Sequence, residues 1–311
     1  MKYLPAIAVL ALVSAPILAR SGDGPFTVVE SGQSFYRLGD AVKAVGDARA
    51  TIRLAPGTYR DCAVQVAGDI TYQAATPGKA ILDGTACEGK GALVLRGRGA
   101  TVDGIVFQNI RVADENGAGI RLEQGNLTVT NAMFLNSQQG ILSANDPAST
   151  IRVDRSTFSG LGYCPDGGSC AHSLYIGDYG ALIVTRSRFE RGTGGHYVKS
   201  RAARIEVTDN SFDDSAGRKT NYMIDLSAGA IGMIARNIFV QGKDKENYSA
   251  FVAVAAEARD HPSRGLVIAD NQASIAPGVD RETIFVADWS HEPLKLANNR
   301  LGKGLTAFET R

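Results

Sequence analysis

Two stretches of the sequence gather side chains that can hold an anion and move protons. HSLYIGDYG runs from His172 to Gly180, and HYVKSRAAR runs from His196 to Arg204. Setting His172 over His196 is an offset of 24 residues, and it brings Leu174 over Val198, Tyr175 over Lys199 and Gly177 over Arg201. NYMIDLSAG at 221–229 continues the register, with Ile224 beneath Val198 and Asp225 beside Lys199. Strand alternation then turns Leu174, Ile176 and Val198 inwards and Tyr175, Tyr197, Lys199, Arg201 and Asp225 towards solvent. The histidines fall at strand starts, where either face is open to them.

Such a surface has the groups that β-elimination from a uronic acid needs. The carboxylate must be neutralised so that the C5 proton becomes acidic, a base must remove that proton, and an acid must help O4 depart. Arg201 suits the first task, because a guanidinium makes bidentate contacts with a carboxylate. Lys199 serves as the base only if Arg201 or desolvation depresses its pKa. Tyr175 can protonate the leaving oxygen, and His172 or His196 can take either proton-transfer role. Tyr197, Asp225, Arg201 and Arg204 are the expected substrate-binding groups.

These stretches sit inside a weak internal repeat. VDGIVF (102–107), VTNAMF (129–134), VDRSTF (153–158), VTRSRF (184–189), VTDNSF (207–212) and IARNIF (234–239) each place a β-branched residue five positions before a Phe. Successive Phe positions lie 27, 24, 31, 23 and 27 residues apart. Period-two apolar alternation with turn residues between blocks excludes helical repeats, and the coil length is too short for propeller blades. The pattern predicts a parallel β-helix whose coils stack at about 4.8 Å. SFYRLGDAVKAVG at 34–46 reads as an amphipathic helix capped by Ser34, with Phe35, Leu38, Ala41, Val42 and Val45 on the face that covers the open end. Asn131, Asn210, Asn237, Asn271 and Asn299 read as turn or ladder residues. The weaker period from Trp289 onward suggests closure of the other end.

SFYRLGDAVKAVG, TIRLAPGTYRD (51–61), ILDGT (81–85), VDGIVFQN (102–109) and the stacked blocks together resemble the pectate-lyase-like superfamily of right-handed parallel β-helix proteins. The resemblance implies an all-β chain: a single-stranded right-handed parallel β-helix with an N-terminal amphipathic capping helix, occupying 22–311 as one domain. It also implies that calcium often helps neutralise the uronate. Asp178 and Asp225 could contribute to such a site, but two carboxylates fall short of six to eight oxygens. The superfamily includes lyases, hydrolases, epimerases and noncatalytic proteins, so fold alone does not select a reaction.

Composition narrows the partners. The 33 Lys+Arg against 32 Asp+Glu leave a net charge of +1, which argues against a nucleic-acid binder. Residues 1–19, MKYLPAIAVLALVSAPILA, read as a secretory signal peptide, and no later stretch is apolar enough for integral membrane association. Export, to the periplasm or beyond the cell, permits disulfides among the four cysteines. Cys164 and Cys170 bracket a small turn-rich loop that a bridge would clip, leaving Cys62 to pair with Cys87. A polysaccharide lyase acting on an acidic, uronic-acid-containing polysaccharide is the leading expectation. A hydrolase would need two carboxyl groups, for which Asp178 and Asp225 are the nearest candidates. An epimerase would use nearly the same residues as a lyase, and a noncatalytic carbohydrate-binding or envelope protein is the remaining alternative.

Overall fold

A computed structural model describes residues 24–165 and 170–311. The segment read as a signal peptide lies outside the described residues. The chain winds as a β-solenoid through three sheets of 12, 10 and 10 strands. Every pairing within them is parallel except those made by Phe26–Val28, which runs antiparallel to Gln33–Phe35 and to Arg49–Leu54.

The repeat block is the corner between two of these sheets. Its β-branched residue is the last but one of a strand of the 12-stranded sheet, where Val102, Val129, Val153, Val184, Val207 and Ile234 stand in register. The next residue but one turns the chain through a left-handed conformation, as at Gly104 (φ 72°), Asn131 (φ 52°) and Asp209 (φ 62°). Gly, Asn and Asp occupy that region at least cost, and Arg155, Arg186 and Arg236 hold the same left-handed position in the other three blocks. The Phe then enters a strand of the second sheet. Phe107, Phe134, Phe158, Phe189, Phe212 and Phe239 stack face to face at 4.8–5.0 Å between centroids. Each is buried, and each burial stabilises the fold by about 1.5–3 kcal/mol.

A polar ladder runs beside the Phe stack. The side chain of Asn237 accepts from the Asn210 N–H at 2.9 Å and donates to Val207 O at 2.8 Å. Asn271 and Asn299 repeat the arrangement, and Ser156 and Ser187 take the same place in earlier coils. Asn131 belongs to the left-handed turn instead. These contacts satisfy backbone N–H groups that the corner removes from the sheets.

The capping helix α1 spans Leu38–Val45 and buries Leu38, Ala41, Val42 and Val45 against the first coil. Its start differs from the sequence reading. Ser34 and Phe35 belong to the antiparallel strand Gln33–Phe35, and Ser34 Oγ bonds to Thr27 Oγ1. The Asp61 carboxylate, distant in sequence, accepts from the Leu38 N–H at 2.9 Å and supplies the missing cap. At the other end the chain does not fold into a distinct plug after Trp289. It adds one more strand to each sheet, at Lys295–Ala297, Arg300–Leu301 and Leu305–Thr310. Among the described residues, no helix is long and apolar enough to cross a membrane.

Candidate functional site

The third sheet carries the candidate site. Strands Leu174–Ile176, Val198–Ser200 and Ile224–Leu226 pair in the register read from the sequence, with Leu174, Val198 and Ile224 in one column and Tyr175, Lys199 and Asp225 in the next. The first column is fully buried in the core. The second faces out of the sheet and extends upstream through Leu142 to Arg121.

Three rings stack where the chain enters these strands. His172 and His196 lie 4.9 Å apart at 29°, and Tyr222 continues the stack 5.5 Å from His196. The His196 N–H donates to His172 Nδ1 at 2.9 Å, so the proton of neutral His172 resides on Nε2. Both imidazoles are buried. Burial, with His196 and Lys199 adding to it, holds His172 well below its ordinary pKa. Burial and then the Lys199 charge pull His196 down to about 3. The pair is therefore neutral at physiological pH, with His196 Nε2 3.5 Å from Asp225 Oδ2.

Lys199 departs from expectation. It lies on the outward column, yet it is only 6% exposed because neighbours close over it. Its ammonium contacts Asp225 Oδ2 at 2.9 Å and the Glu257 carboxylate, and it lies 5.7 Å from the Tyr175 ring centre. Burial alone would lower its pKa, but Asp225 and Glu257 outweigh burial and raise it. An ammonium fixed between two carboxylates donates protons and does not accept them, so Lys199 does not fit the role of base in this arrangement. Asp225 is likewise buried, with its second oxygen lacking a partner, and Ser227 Oγ donates to the first at 2.7 Å. Burial raises its pKa against the pull of Lys199. Expected exposure for substrate contact therefore fails at Asp225 as well.

Arg201 and Tyr175 remain accessible. Arg201 Nη2 contacts Glu257 Oε2 at 2.6 Å and the Tyr175 hydroxyl at 3.3 Å. Both residues line a groove of about 460 Å³, together with Lys90, Arg121, Leu142 and Asn145. Arg121 brings a second guanidinium whose Nε is buried without a hydrogen-bond partner among the described residues. Lys90 is held by Glu88 and Glu123. The groove thus presents a phenol among three cationic side chains and one carboxylate, that of Asp114.

Tyr197, Arg204 and Asp178 lie elsewhere. The strand begins only at Val198, and the residue before it sits in the corner between sheets, so alternation does not yet apply. Tyr197 turns inward, meets Phe189 and Phe212 edge-on, and donates its hydroxyl hydrogen to Asp214 at 2.7 Å. Arg204 begins a strand of the 12-stranded sheet after a bend and points to solvent on that different face. Asp178 contacts His261 Nε2 at 3.0 Å, whereas Asp225 holds Lys199. The two carboxylates therefore have separate partners, and among the described residues no group of three or more His, Cys, Asp or Glu converges as a metal site.

Glu257, Tyr222, Arg121 and Lys90 escaped the sequence reading. Glu257 lies outside any strand, so no register locates it. Arg121 shares the outward column, but the 33-residue offset from Leu142 to Tyr175 hides the alignment. Both disulfides form as read, Cys62–Cys87 and Cys164–Cys170, as suits folding in an oxidising, exported compartment.

No protein-family model matches the chain, and no curated protein does. Among solved structures, a Geobacillus virus E2 protein, ORF18, matches with a TM-score of 0.50 and 11% identity over 88% of this chain. The chain spans 57% of that protein's length. The Streptococcus pneumoniae surface protein and adhesin PfbA matches with a TM-score of 0.40 and 10% identity, covering 88% of this chain and 94% of the adhesin. The first likeness is one of fold, in agreement with the parallel solenoid described above.

Proposed function

We propose that the groove on the third sheet binds an acidic, uronic-acid-containing polysaccharide and that the chain cleaves it by β-elimination. The observation that carries this reading is the Tyr175 hydroxyl, held by Arg201 in a groove that Arg121 and Lys90 also line. A solenoid face suits an extended polymer, and guanidiniums suit its carboxylates. In this reading Arg201 or Arg121 neutralises the uronate. Tyr175, as phenolate, takes the C5 proton; the C4–C5 double bond forms as the C4–O4 bond breaks, and the phenol returns the proton to O4. The adjacent Arg201 donor would stabilise the negative charge on the Tyr175 oxygen before the C5 proton arrives and again after that proton passes to O4. Lys199 becomes a positioning residue beneath the Tyr175 ring, and His172 packs edge-on against that ring at 5.1 Å. Asp225 holds Lys199 in place. If calcium takes part, it requires oxygens beyond Asp178 and Asp225, which lie with separate partners.

A noncatalytic carbohydrate-binding role in the cell envelope is the second reading. It is favoured by the burial and pairing of Lys199, His172 and His196, which withdraws three of the expected proton-transfer groups from substrate. Purified protein incubated with pectate, alginate and glucuronate-containing polymers separates the two. Ultraviolet absorbance from unsaturated uronate ends supports elimination, whereas saturable calorimetric binding without that absorbance supports the binding role. New reducing ends without the absorbance would point to hydrolysis.

A further inference from the structure

Glu257 presents its carboxylate to Lys199 and Arg201 from a segment that belongs to no strand, and its own side chain is 44% exposed. The segment is fastened to the turn after Ile224–Leu226. The Glu257 and Ala258 N–H groups both donate to Ser227 O, and the His261 N–H donates to Ala228 O. A side-chain anchor is the contact of His261 with Asp178, in the bend after Leu174–Ile176. Asp225 already supplies Lys199 with a buried counter-ion, so Glu257 is not needed to neutralise that ammonium. Arg201 is different. Among the described residues Glu257 is the carboxylate with which it forms an ion pair, and the same guanidinium nitrogen faces the Tyr175 hydroxyl in the groove.

We propose that Glu257 is an internal occupant of a carboxylate-binding seat formed by Arg201 and Lys199, and that an acidic saccharide binds by displacing it from Arg201. This inference rests on the reading that the groove takes an acidic saccharide, and it adds the residue against which that ligand competes. The carboxylate of a ligand and that of Glu257 would use the same guanidinium, and they repel each other if both are present. Removing the internal charge frees the seat while leaving the Lys199–Asp225 pair intact.

The test compares the wild-type chain with Glu257→Gln by calorimetric titration with oligogalacturonate, oligoalginate and glucuronate-containing oligosaccharides. Gln keeps the size and a hydrogen-bonding oxygen, and thermal unfolding checks that the variant folds. A second variant, Asp178→Asn, weakens the other anchor of the segment without touching Arg201. The expected result is affinity at least about tenfold tighter for Glu257→Gln, with a smaller shift in the same direction for Asp178→Asn. Wild-type binding with unchanged or weaker affinity in a folded Glu257→Gln overturns the displacement while leaving the acidic-saccharide reading in place. Absence of binding by both wild type and Glu257→Gln overturns that reading and the displacement together.

Discussion

Lys199 and Asp225 occupy successive rungs of one parallel sheet, and their charged ends meet at 2.9 Å with both side chains almost fully buried. The pair has a large desolvation cost that its mutual attraction and the contacts from Glu257 and Ser227 offset. Removing Lys199 leaves Asp225 as an uncompensated buried charge, whereas Lys199 without Asp225 would keep Glu257.

Lys199→Met should therefore destabilise the fold by about 3–5 kcal/mol, while Lys199→Met combined with Asp225→Leu should recover most of the loss. Urea unfolding of the two variants measures this directly. A loss below about 1 kcal/mol in the single variant would show that the pair contributes little, as exposed pairs do.

The buried histidines set an acid limit. Burial holds the folded pKa of His196 at about 3 and that of His172 well below its ordinary value, so the unfolded chain binds more protons between about pH 6.5 and those lowered values. Stability should consequently fall as pH drops below about 6.5, by up to about 1.4 kcal/mol per pH unit for each histidine. Glu257, whose pKa is lowered against burial by Lys199 and Arg201, adds to the loss at still lower pH. Urea midpoints between pH 7.5 and 4.5 test the effect, and a flat profile would rule out neutral buried imidazoles.

The asparagine ladder makes a separate claim about the scaffold. Asn237→Ala removes an acceptor for the buried Asn210 N–H and a donor to Val207 O. The cost should be about 3 kcal/mol, since each orphaned buried group costs about 1–3 kcal/mol. Asn131→Ala lies in an exposed turn and should cost much less. Equal losses in chemical denaturation would remove the distinction between ladder and turn.

Much of this arrangement was legible in the sequence because it repeats. The β-branched residue and Phe of each block fix the corner, and the matched alternation of the two stretches that begin at His172 and His196 sets His172 over His196 and Tyr175 over Lys199. What did not repeat was hidden. Glu257 comes from an irregular segment, and Asp61 caps α1 from beyond the helix. Tyr197 was misplaced because alternation holds only within a strand, and the strand starts one residue later. Arg204 was misplaced because the chain bends into another sheet immediately before it. Exposure of Lys199 could not be read from its column, since a side chain facing out of a sheet is still buried when its neighbours carry the opposite charge and close over it.

Arg121 offers a test of the groove that leaves the scaffold alone. Among the described residues its Nε has no hydrogen-bond partner, and its contact with the Glu123 carboxylate is long at 3.9 Å. Arg121→Ala should weaken binding of acidic oligosaccharides by about tenfold, the equivalent of one charge-assisted contact, while leaving the urea midpoint nearly unchanged. Unaltered affinity in calorimetry would exclude this side chain from the binding surface.

The central claim is that Tyr175 moves the proton in elimination, and it is tested most directly by the rate at which unsaturated uronate ends form with wild type and with Tyr175→Phe. Wild type should generate them from at least one uronic-acid polymer, and Tyr175→Phe should be slower by about 10²–10⁴-fold with oligosaccharide binding retained. Product formation by Tyr175→Phe at the wild-type rate, or none by wild type on any such polymer, would contradict the account.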